Sequence, residues 1–170
     1  MIFITTGTSA WDFSRFIRIM DGLALKIDSK IIMQIGQTRY APRNCEYVRY
    51  LNKKELETRY EKSRLIVSHA GVGSILTAIR LHKDIIVFPR RQAYQEHLDD
   101  HQLELAKNLE HPLVCAALEE KELENKILSV LNHPHLAGSE RLEKQMSLVS
   151  NLARYLDSLE DAKKSYGTIL

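Results

Sequence analysis

The sequence predicts an α/β fold, a Rossmann-like parallel sheet with helices on both faces. Short apolar segments alternate along the chain with amphipathic segments of helical length. The short segments are apolar at consecutive positions, which is typical of strands buried on both faces of a sheet. Glycines and hydroxyl side chains directly follow several of these strands, which indicates strand-to-helix turns.

The predicted elements follow one another in the order that such a sheet requires. Strands are expected at residues 2–5, 30–35, 46–50, 64–68, 84–88 and 113–115. Helices are expected at residues 11–25, 53–62, 75–81, 96–109 and 119–131. These elements define a domain over residues 1–135. Residues 136–170 are predicted to be a C-terminal helical extension, whose helix over 139–159 carries two adjacent apolar stripes. This helix is expected to dock on a partner chain as well as on its own domain, and packing on its own domain alone is the alternative.

Composition excludes several classes of protein. With 170 residues, 44% of them hydrophobic and 27% charged, the chain can bury a core and is neither collagenous, nor of low complexity, nor wholly disordered. A net charge of +2 is too weak to predict nucleic-acid binding. The two cysteines, Cys45 and Cys115, are too far apart for a CxxC motif, and such sparse use is typical of a reducing cytosol.

Membrane insertion is not expected from the sequence. The start lacks the basic region and the longer apolar run of a signal peptide. No stretch approaches the ~20 apolar residues that span a bilayer. We therefore expect a cytoplasmic protein that reaches a membrane only peripherally, through a partner.

Ligands of parallel α/β sheets bind at the carboxyl ends of the strands, so the turns there are the first candidates for a site. The first turn, residues 5–9 (TTGTS), offers backbone N–H groups and hydroxyls that suit a phosphate. Serine and threonine at a helix start are also common caps, so this turn alone is weak evidence. It contains neither the P-loop motif nor the Rossmann GxGxxG motif.

The second turn, residues 68–74 (SHAGVGS), is a stronger candidate. Gly71 and Gly73 allow a ligand to approach the backbone closely. His69 and Ser74 could each contact a phosphate oxygen. An ordinary turn histidine is the alternative for His69, and the two neighbouring glycines favour a functional role.

The third turn, residues 88–102, concentrates charged and amide side chains directly after an apolar strand. Arg90 and Arg91 would suit a diphosphate. The residues expected to bind hydroxyl groups are Glu96, His97, Asp100, His101 and Gln102. A solvated acidic helix face would account for Asp99, but it accounts poorly for the whole set.

Two of these histidines have the spacing of a metal site. His97 and His101 are four residues apart and are predicted to share one helix face. The segment lacks the HExxH motif of zinc proteases. No metal is therefore expected.

Three segments together resemble the donor-binding half of GT-B glycosyltransferases. They are residues 68–76 (SHAGVGSIL), 84–90 (DIIVFPR) and 96–106 (EHLDDHQLELA). The similarity is to the glycosyltransferase family 28 C-terminal domain, in particular to small subunits of the Alg13, PssE and EpsF type, and it covers about residues 1–118. It implies a single C-terminal-type half of a GT-B fold and a UDP-sugar donor.

The resemblance also implies which residues hold the donor. The diphosphate would face the first two turns, the uracil would lie near Tyr50 and Leu51, and the sugar hydroxyls near His101 and Gln102. Many GT-B enzymes grip the ribose with a glutamate where this chain has Thr77, so Glu96 or Glu104 is expected to compensate. The implied donor-binding set is Gly7, Thr8, Tyr50, Leu51, His69, Gly71, Gly73, Ser74, Thr77, Arg90, Glu96, Asp100, His101 and Gln102.

The implied reaction transfers a hexose or N-acetylhexosamine from a UDP-sugar to a polyprenyl-diphosphate-linked sugar in polysaccharide or glycolipid synthesis. His69 and His101 are the candidate catalytic residues, with His97 or a base on the partner as alternatives. The missing acceptor half would be an Alg14-like membrane-anchored subunit at the inner membrane face, and no metal or further cofactor is expected. Two other functions remain open: a non-catalytic nucleotide-binding regulatory subunit, and a self-sufficient homodimeric enzyme.

Overall fold

The computed structural model describes residues 1–132. It contains six strands: β1 (Ile2–Thr5), β2 (Ile31–Gln34), β3 (Glu46–Val48), β4 (Leu65–Ser68), β5 (Asp84–Val87) and β6 (Val114–Ala116). Five α-helices accompany them: α1 (Ser14–Leu23), α2 (Lys53–Lys62), α3 (Val72–Arg80), α4 (His101–Asn108) and α5 (Glu120–Asn132). Five strands lie within their predicted ranges and the sixth is shifted by one residue. The predicted helix at 139–159 and the domain boundary at 135 lie outside the described residues.

All six strands are parallel, in the order β3-β2-β1-β4-β5-β6. The direction of winding reverses between β1 and β4, which is the position where open α/β sheets bind their ligands. Thr5 pairs with Gln34 on one side and with Ser68 on the other, and Ser68 pairs with Val87. The turns that follow β1, β4 and β5 therefore open at the same edge of the sheet.

Helices cover both faces of this sheet, as the sequence predicts. Every residue of β1, β2, β4 and β5 is buried. On one face, Met20 of α1 and Leu123 of α5 belong to the same buried cluster as Ile4. On the other face, Tyr60 of α2 packs edge-on against Phe3, with 5.7 Å between ring centroids. Within residues 1–132, no helix combines the length and the apolar character needed to cross a bilayer.

Three helices begin three or more residues from their predicted starts. Helix α1 begins at Ser14 rather than at residue 11, and α3 begins at Val72 rather than at residue 75. The largest difference is in α4, which begins at His101 rather than at residue 96.

The late start of α4 has a non-local cause. The buried Arg90 guanidinium donates to the Glu96 carbonyl (3.3 Å), and this hydrogen bond holds the backbone in an irregular loop over residues 96–100. His97 consequently lies before α4. The prediction that His97 and His101 share a helix face is wrong, although the two rings still contact each other.

The long connection between β2 and β3 is anchored on one buried carboxylate. Asp21 of α1 accepts hydrogen bonds from the Tyr40 hydroxyl (2.7 Å) and from the backbone N–H groups of Arg43 (3.0 Å) and Asn44 (2.8 Å). Burial alone would raise the pKa of Asp21, but these hydrogen bonds outweigh burial and lower it. The ionised carboxylate therefore contributes to the stability of the fold.

We predict that Asp21→Asn lowers the free energy of unfolding by about 1–3 kcal/mol at pH 7, because an amide cannot replace both acceptor oxygens or the charge. Urea denaturation measures the difference. Since the folded-state pKa is lowered, this stability is present above the unfolded pKa of Asp21 and is lost as the pH falls through the folded one. The difference in the free energy of unfolding between wild type and Asp21→Asn should therefore become smaller at acid pH. The exposed Asp28 provides the control substitution, Asp28→Asn, and an equal loss there would contradict the role of Asp21.

Candidate functional site

The turns after β1 and β4 meet around one imidazole. A Cβ placed on Gly7 would lie 2.5 Å from Cε1 of His69, and one placed on Gly71 would lie 2.2 Å from its Nε2. Gly7 also has a φ of +72°, a backbone conformation that favours glycine. Both glycines are therefore required for the His69 ring to lie between the two turns.

His69 is held as a neutral side chain. Its Nδ1 lies 3.1 Å from the Ser68 hydroxyl, and its backbone N–H donates to the Thr5 carbonyl (3.2 Å). Burial, and then the nearby charge of Arg90, lower the pKa of His69 to about 4. A histidine with so low a pKa is a weak general base at neutral pH, and this favours a hydrogen-bonding role.

The N-terminus of α3 faces the same edge. Its N-cap residue is Gly71, and no side chain of the described residues caps it. Gly73 is exposed in the first turn, where a Cβ would meet no described atom within 4 Å, and Ser74 beside it is half-buried. The Thr77 hydroxyl donates to the Gly73 carbonyl (2.7 Å). A helix N-terminus with its first N–H groups uncapped and an accessible backbone suits an anion.

Arg90 lies below this edge as an internal cation. It is 1% exposed, and its guanidinium donates to the carbonyls of Thr6 (3.0 Å), Trp11 (3.0 Å) and Asp12 (3.2 Å) as well as to the loop before α4. Burial lowers the pKa of Arg90 to about 10, so the group stays charged at neutral pH. The guanidinium expected at a diphosphate is thus bonded to protein carbonyls and joins the loops after β1 and β5.

The other charged residues of this turn also have protein partners. Glu96 is buried and forms a two-point ion pair with Arg15 of α1, at 2.8 Å for both hydrogen bonds. It also accepts the Arg91 backbone N–H (3.1 Å). The Arg91 side chain pairs with Glu119 (2.9 Å). Glu96, expected to bind hydroxyl groups, instead fixes α1 to the loop after β5.

The start of α4 presents one of its polar residues outward. The Gln102 side chain is buried and accepts the Arg90 backbone N–H (3.3 Å). The Asp100 carboxylate accepts the backbone N–H of Gln92 (2.8 Å). The His101 side chain is 34% exposed and its Nδ1 hydrogen-bonds Asp99. Of the two residues expected near the sugar, Gln102 is buried and His101 is partly exposed.

Tyr50 and Leu51 follow β3 at the same edge. Tyr50 is 44% exposed and Leu51 is half-buried. A Cβ on Gly36, directly after β2, would lie 3.9 Å from Tyr50 and 3.1 Å from the Gly7 carbonyl oxygen. The Tyr50 ring is thus close to the first turn, and Thr8 of that turn is exposed.

Sequence analysis missed two residues of this edge. Gly36 has a φ of +53° and, like Gly7, follows shortly after a strand. Its position directly after the apolar run that ends at Ile35 was the signal in the sequence. Arg15 lies over the Phe88 ring at 4.4 Å and holds Glu96. Its signal was a cation in the first turn of α1, directly before the apolar Phe16 and Ile17.

The lowered pKa of His69 predicts an acid-sensitive loss of stability. The ordinary pKa of 6.5 applies to the unfolded chain, which therefore binds a proton that the folded chain excludes between about pH 6.5 and pH 4. The free energy of unfolding should fall across that range by about 1–3 kcal/mol as the pH drops. In His69→Gln this dependence of the free energy of unfolding on pH should vanish, as urea denaturation at several pH values would show. The exposed His82 gives the control, His82→Asn, which should keep the slope; an unchanged slope in His69→Gln would contradict the assignment.

Known proteins match the chain over most of its length. The glycosyltransferase family 28 C-terminal domain matches residues 1–159. The human UDP-N-acetylglucosamine transferase subunit ALG13 is 32% identical over 120 residues, which are 64% of this chain and 10% of that protein. The subunit of the same name from Candida albicans is 32% identical over 84 residues, 49% of this chain and 27% of that protein. The chain thus spans about a tenth of the human relative and about a quarter of the fungal one.

Solved structures show the same fold at low sequence identity. The solution structure of ALG13 aligns with a TM-score of 0.50 and 19% identity, over 85% of this chain and 94% of that one. The calicheamicin glycosyltransferase CalG4 aligns with a TM-score of 0.54 and 17% identity, over 94% of this chain but 41% of that one. The six-stranded parallel sheet is therefore that of a GT-B half-domain. With its sequence matched over residues 1–159, the chain belongs to the glycosyltransferase family 28 C-terminal domain family.

Proposed function

We propose that this chain is the donor-binding catalytic subunit of a UDP-sugar-dependent glycosyltransferase. The observation that carries the proposal is the uncapped N-terminus of α3, which opens beside Gly7 where the sheet reverses its winding. Membership of family 28 and the UDP-N-acetylglucosamine subunits among its relatives support a UDP-sugar as the donor. The transferred group would be a hexose or an N-acetylhexosamine.

In this proposal the donor diphosphate lies against the N-terminus of α3. Backbone N–H groups of Gly7, Thr8 and the first turn of α3, with the Ser74 hydroxyl, would surround its oxygens. The phosphate would approach Gly73 through the open space that a Cβ would otherwise occupy. The helix dipole and these N–H groups would stabilise the charge that develops on the leaving UDP, so donor binding is proposed to need no metal.

The two ends of the donor would contact different elements. The uracil would lie beside Tyr50 and Leu51, after β3. The ribose has no carboxylate at position 77, and the Thr77 hydroxyl already donates to the backbone. Because Glu96 is paired with Arg15, the exposed Glu104 of α4 is the remaining candidate for the ribose hydroxyls.

The sugar would lie at the start of α4, next to His101. In the reaction, an acceptor hydroxyl attacks the anomeric carbon, the bond from that carbon to the diphosphate oxygen breaks, and a base takes the hydroxyl proton. His101 is the in-chain candidate for that base, because its ring is accessible and is oriented by Asp99. A base supplied by the partner is the alternative. Gln102 and Arg90 would position this end of the site from beneath, through the hydrogen bond between them.

The acceptor half would come from another chain. This chain covers 41% of the calicheamicin enzyme, and the ALG13 relatives are described as subunits. We propose an Alg14-like membrane-anchored subunit that binds a polyprenyl-diphosphate-linked sugar and holds this chain peripherally at the cytoplasmic face of the membrane. The proposed pathway is the synthesis of a polysaccharide or a glycolipid.

A non-catalytic nucleotide-binding regulatory subunit is the second candidate. The engaged Thr77 hydroxyl, at the position where a ribose carboxylate would be expected, favours it. A transfer assay with the partner co-expressed separates the two candidates. If this chain were a regulatory subunit, sugar transfer would not depend on His101.

We predict that Gly73→Ala lowers the affinity for UDP by at least about tenfold, because a methyl group would occupy the approach of the diphosphate. The matched control is Gly22→Ala, since a Cβ on Gly22 also meets no described atom within 4 Å. Gly22 lies near the end of α1, at the opposite edge of the sheet. Both variants should keep or gain up to about 1 kcal/mol of stability, since alanine favours a helix.

Calorimetry with UDP in EDTA measures these affinities. Wild type and Gly22→Ala should bind alike without divalent metal. Binding that appears only after Mg²⁺ is added would contradict the metal-free proposal, and equal affinity in Gly73→Ala would contradict the position of the diphosphate.

We predict that His101→Asn reduces sugar transfer by at least about a hundredfold in the complex with the partner, and leaves UDP affinity unchanged. The control variant is His82→Asn, which removes an imidazole at an exposed position after α3. A parallel loss of UDP affinity in His101→Asn would place His101 at the nucleotide rather than at the sugar.

A further inference from the structure

Three side chains, on the loop before α4 and at the first residue of α4, bring metal-binding atoms together. One ligand atom from each of His97, Asp99 and His101 lies within 4.8 Å of the other two. Nδ1 of His97 is 3.3 Å from Oδ1 of Asp99, and Nδ1 of His101 contacts the same oxygen. We propose that this His-Asp-His cluster is a Zn²⁺ site.

The donor set fits zinc better than it fits magnesium or calcium. Zn²⁺ binds imidazole nitrogen and carboxylate oxygen at about 2.0–2.2 Å, and two ligand atoms of a tetrahedral shell at such distances are about 3.3 Å apart. The separation of 3.3 Å between His97 and Asp99 already has that value. Mg²⁺ and Ca²⁺ take oxygen ligands, which two of these three side chains do not offer.

His97 supplies an independent observation. Its Nδ1 is buried and lies 3.3 Å from a carboxylate oxygen of Asp99, without the geometry of a regular hydrogen bond. The ring is fixed between its neighbours, with 6.4 Å to the Trp11 ring and 4.5 Å to the His101 ring, to which it is nearly perpendicular. A buried nitrogen that faces a carboxylate without a hydrogen bond is unfavourable, and a metal ion bound between the two would satisfy both.

The backbone that carries the three ligands is tied on both sides of Asp99. The Gln92 side chain donates to the Leu98 carbonyl (2.8 Å). The Gln92 backbone N–H donates to the Asp100 carboxylate (2.8 Å). This loop is therefore held before any metal binds, which reduces the ordering that binding would require.

The cluster is accessible to an ion from solvent. The side chain of Asp99 is 62% exposed and that of His101 is 34% exposed, so a fourth coordination position would face water. The charge of Arg90 opposes a cation here, but its guanidinium is paired with carbonyl groups and is near the opposite charge of Glu96. We therefore expect one Zn²⁺ to bind with micromolar affinity. Coordination of the ion by Nδ1 of His101 would replace the contact between this atom and the Asp99 carboxylate.

The test is a titration of the full chain, without a histidine tag, with Zn²⁺ in competition with a chromophoric chelator. Asp99→Asn and His97→Gln should each weaken Zn²⁺ binding by at least about tenfold. Matched controls are Asp28→Asn and His82→Asn, both at exposed positions, and they should bind as wild type does. UDP affinity of each variant reports whether it is folded.

Co²⁺ gives a second measurement, on the wild-type protein alone. Bound by two imidazoles and a carboxylate in a four-coordinate site, Co²⁺ should show strong visible absorption that Zn²⁺ abolishes. The proposal is overturned if Co²⁺ shows only the faint bands of a six-coordinate ion. It is also overturned if Zn²⁺ affinity is the same in Asp99→Asn as in Asp28→Asn.

Discussion

The geometry of the carboxyl edge of the sheet depends on the buried guanidinium of Arg90. A cation out of water is costly unless its N–H groups find acceptors, and Arg90 finds them in loops that are far apart in sequence. Its bonds to Thr6 and Trp11 fix the loop after β1, and its bond to Glu96 fixes the loop after β5. Arg90 thus holds both loops that flank His69. Helix α4 begins only after the part of the second loop that Arg90 fixes.

Much of the fold could be predicted because its signals are local. The strand predicted at 64–68 is observed as Leu65–Ser68, since four consecutive apolar or small residues before a glycine turn need no distant information. The start of α4 could not be predicted in this way. The residues from 96 onward have helical spacing, but the Glu96 carbonyl accepts a hydrogen bond from Arg90, and another partner of Arg90, Thr6, lies 84 residues before it in the sequence.

The candidate site shows the same division. That Gly7 and Gly71 lie near each other follows from a parallel sheet, so their convergence could be predicted from the turns alone. That the His69 ring fills the space between them could not be predicted, because the size of this space depends on the positions of two Cα atoms in different turns. Arg90 and Glu96 have side chains suited to a ligand, but residue type does not reveal burial, and both are bonded to protein groups.

On the proposed function, the two ends of the site differ in how they are built. The diphosphate end consists of backbone N–H groups, glycines and a neutral histidine, all fixed by the sheet and by α3. The sugar end consists of side chains on the loop before α4 and of His101, the first residue of α4, which is partly exposed and belongs to the proposed metal cluster. A substitution at the first end acts on the backbone and should affect every donor alike. A substitution on the loop changes which hydroxyl groups are met while the sheet stays intact, so the choice of sugar can vary without a change in the binding of UDP.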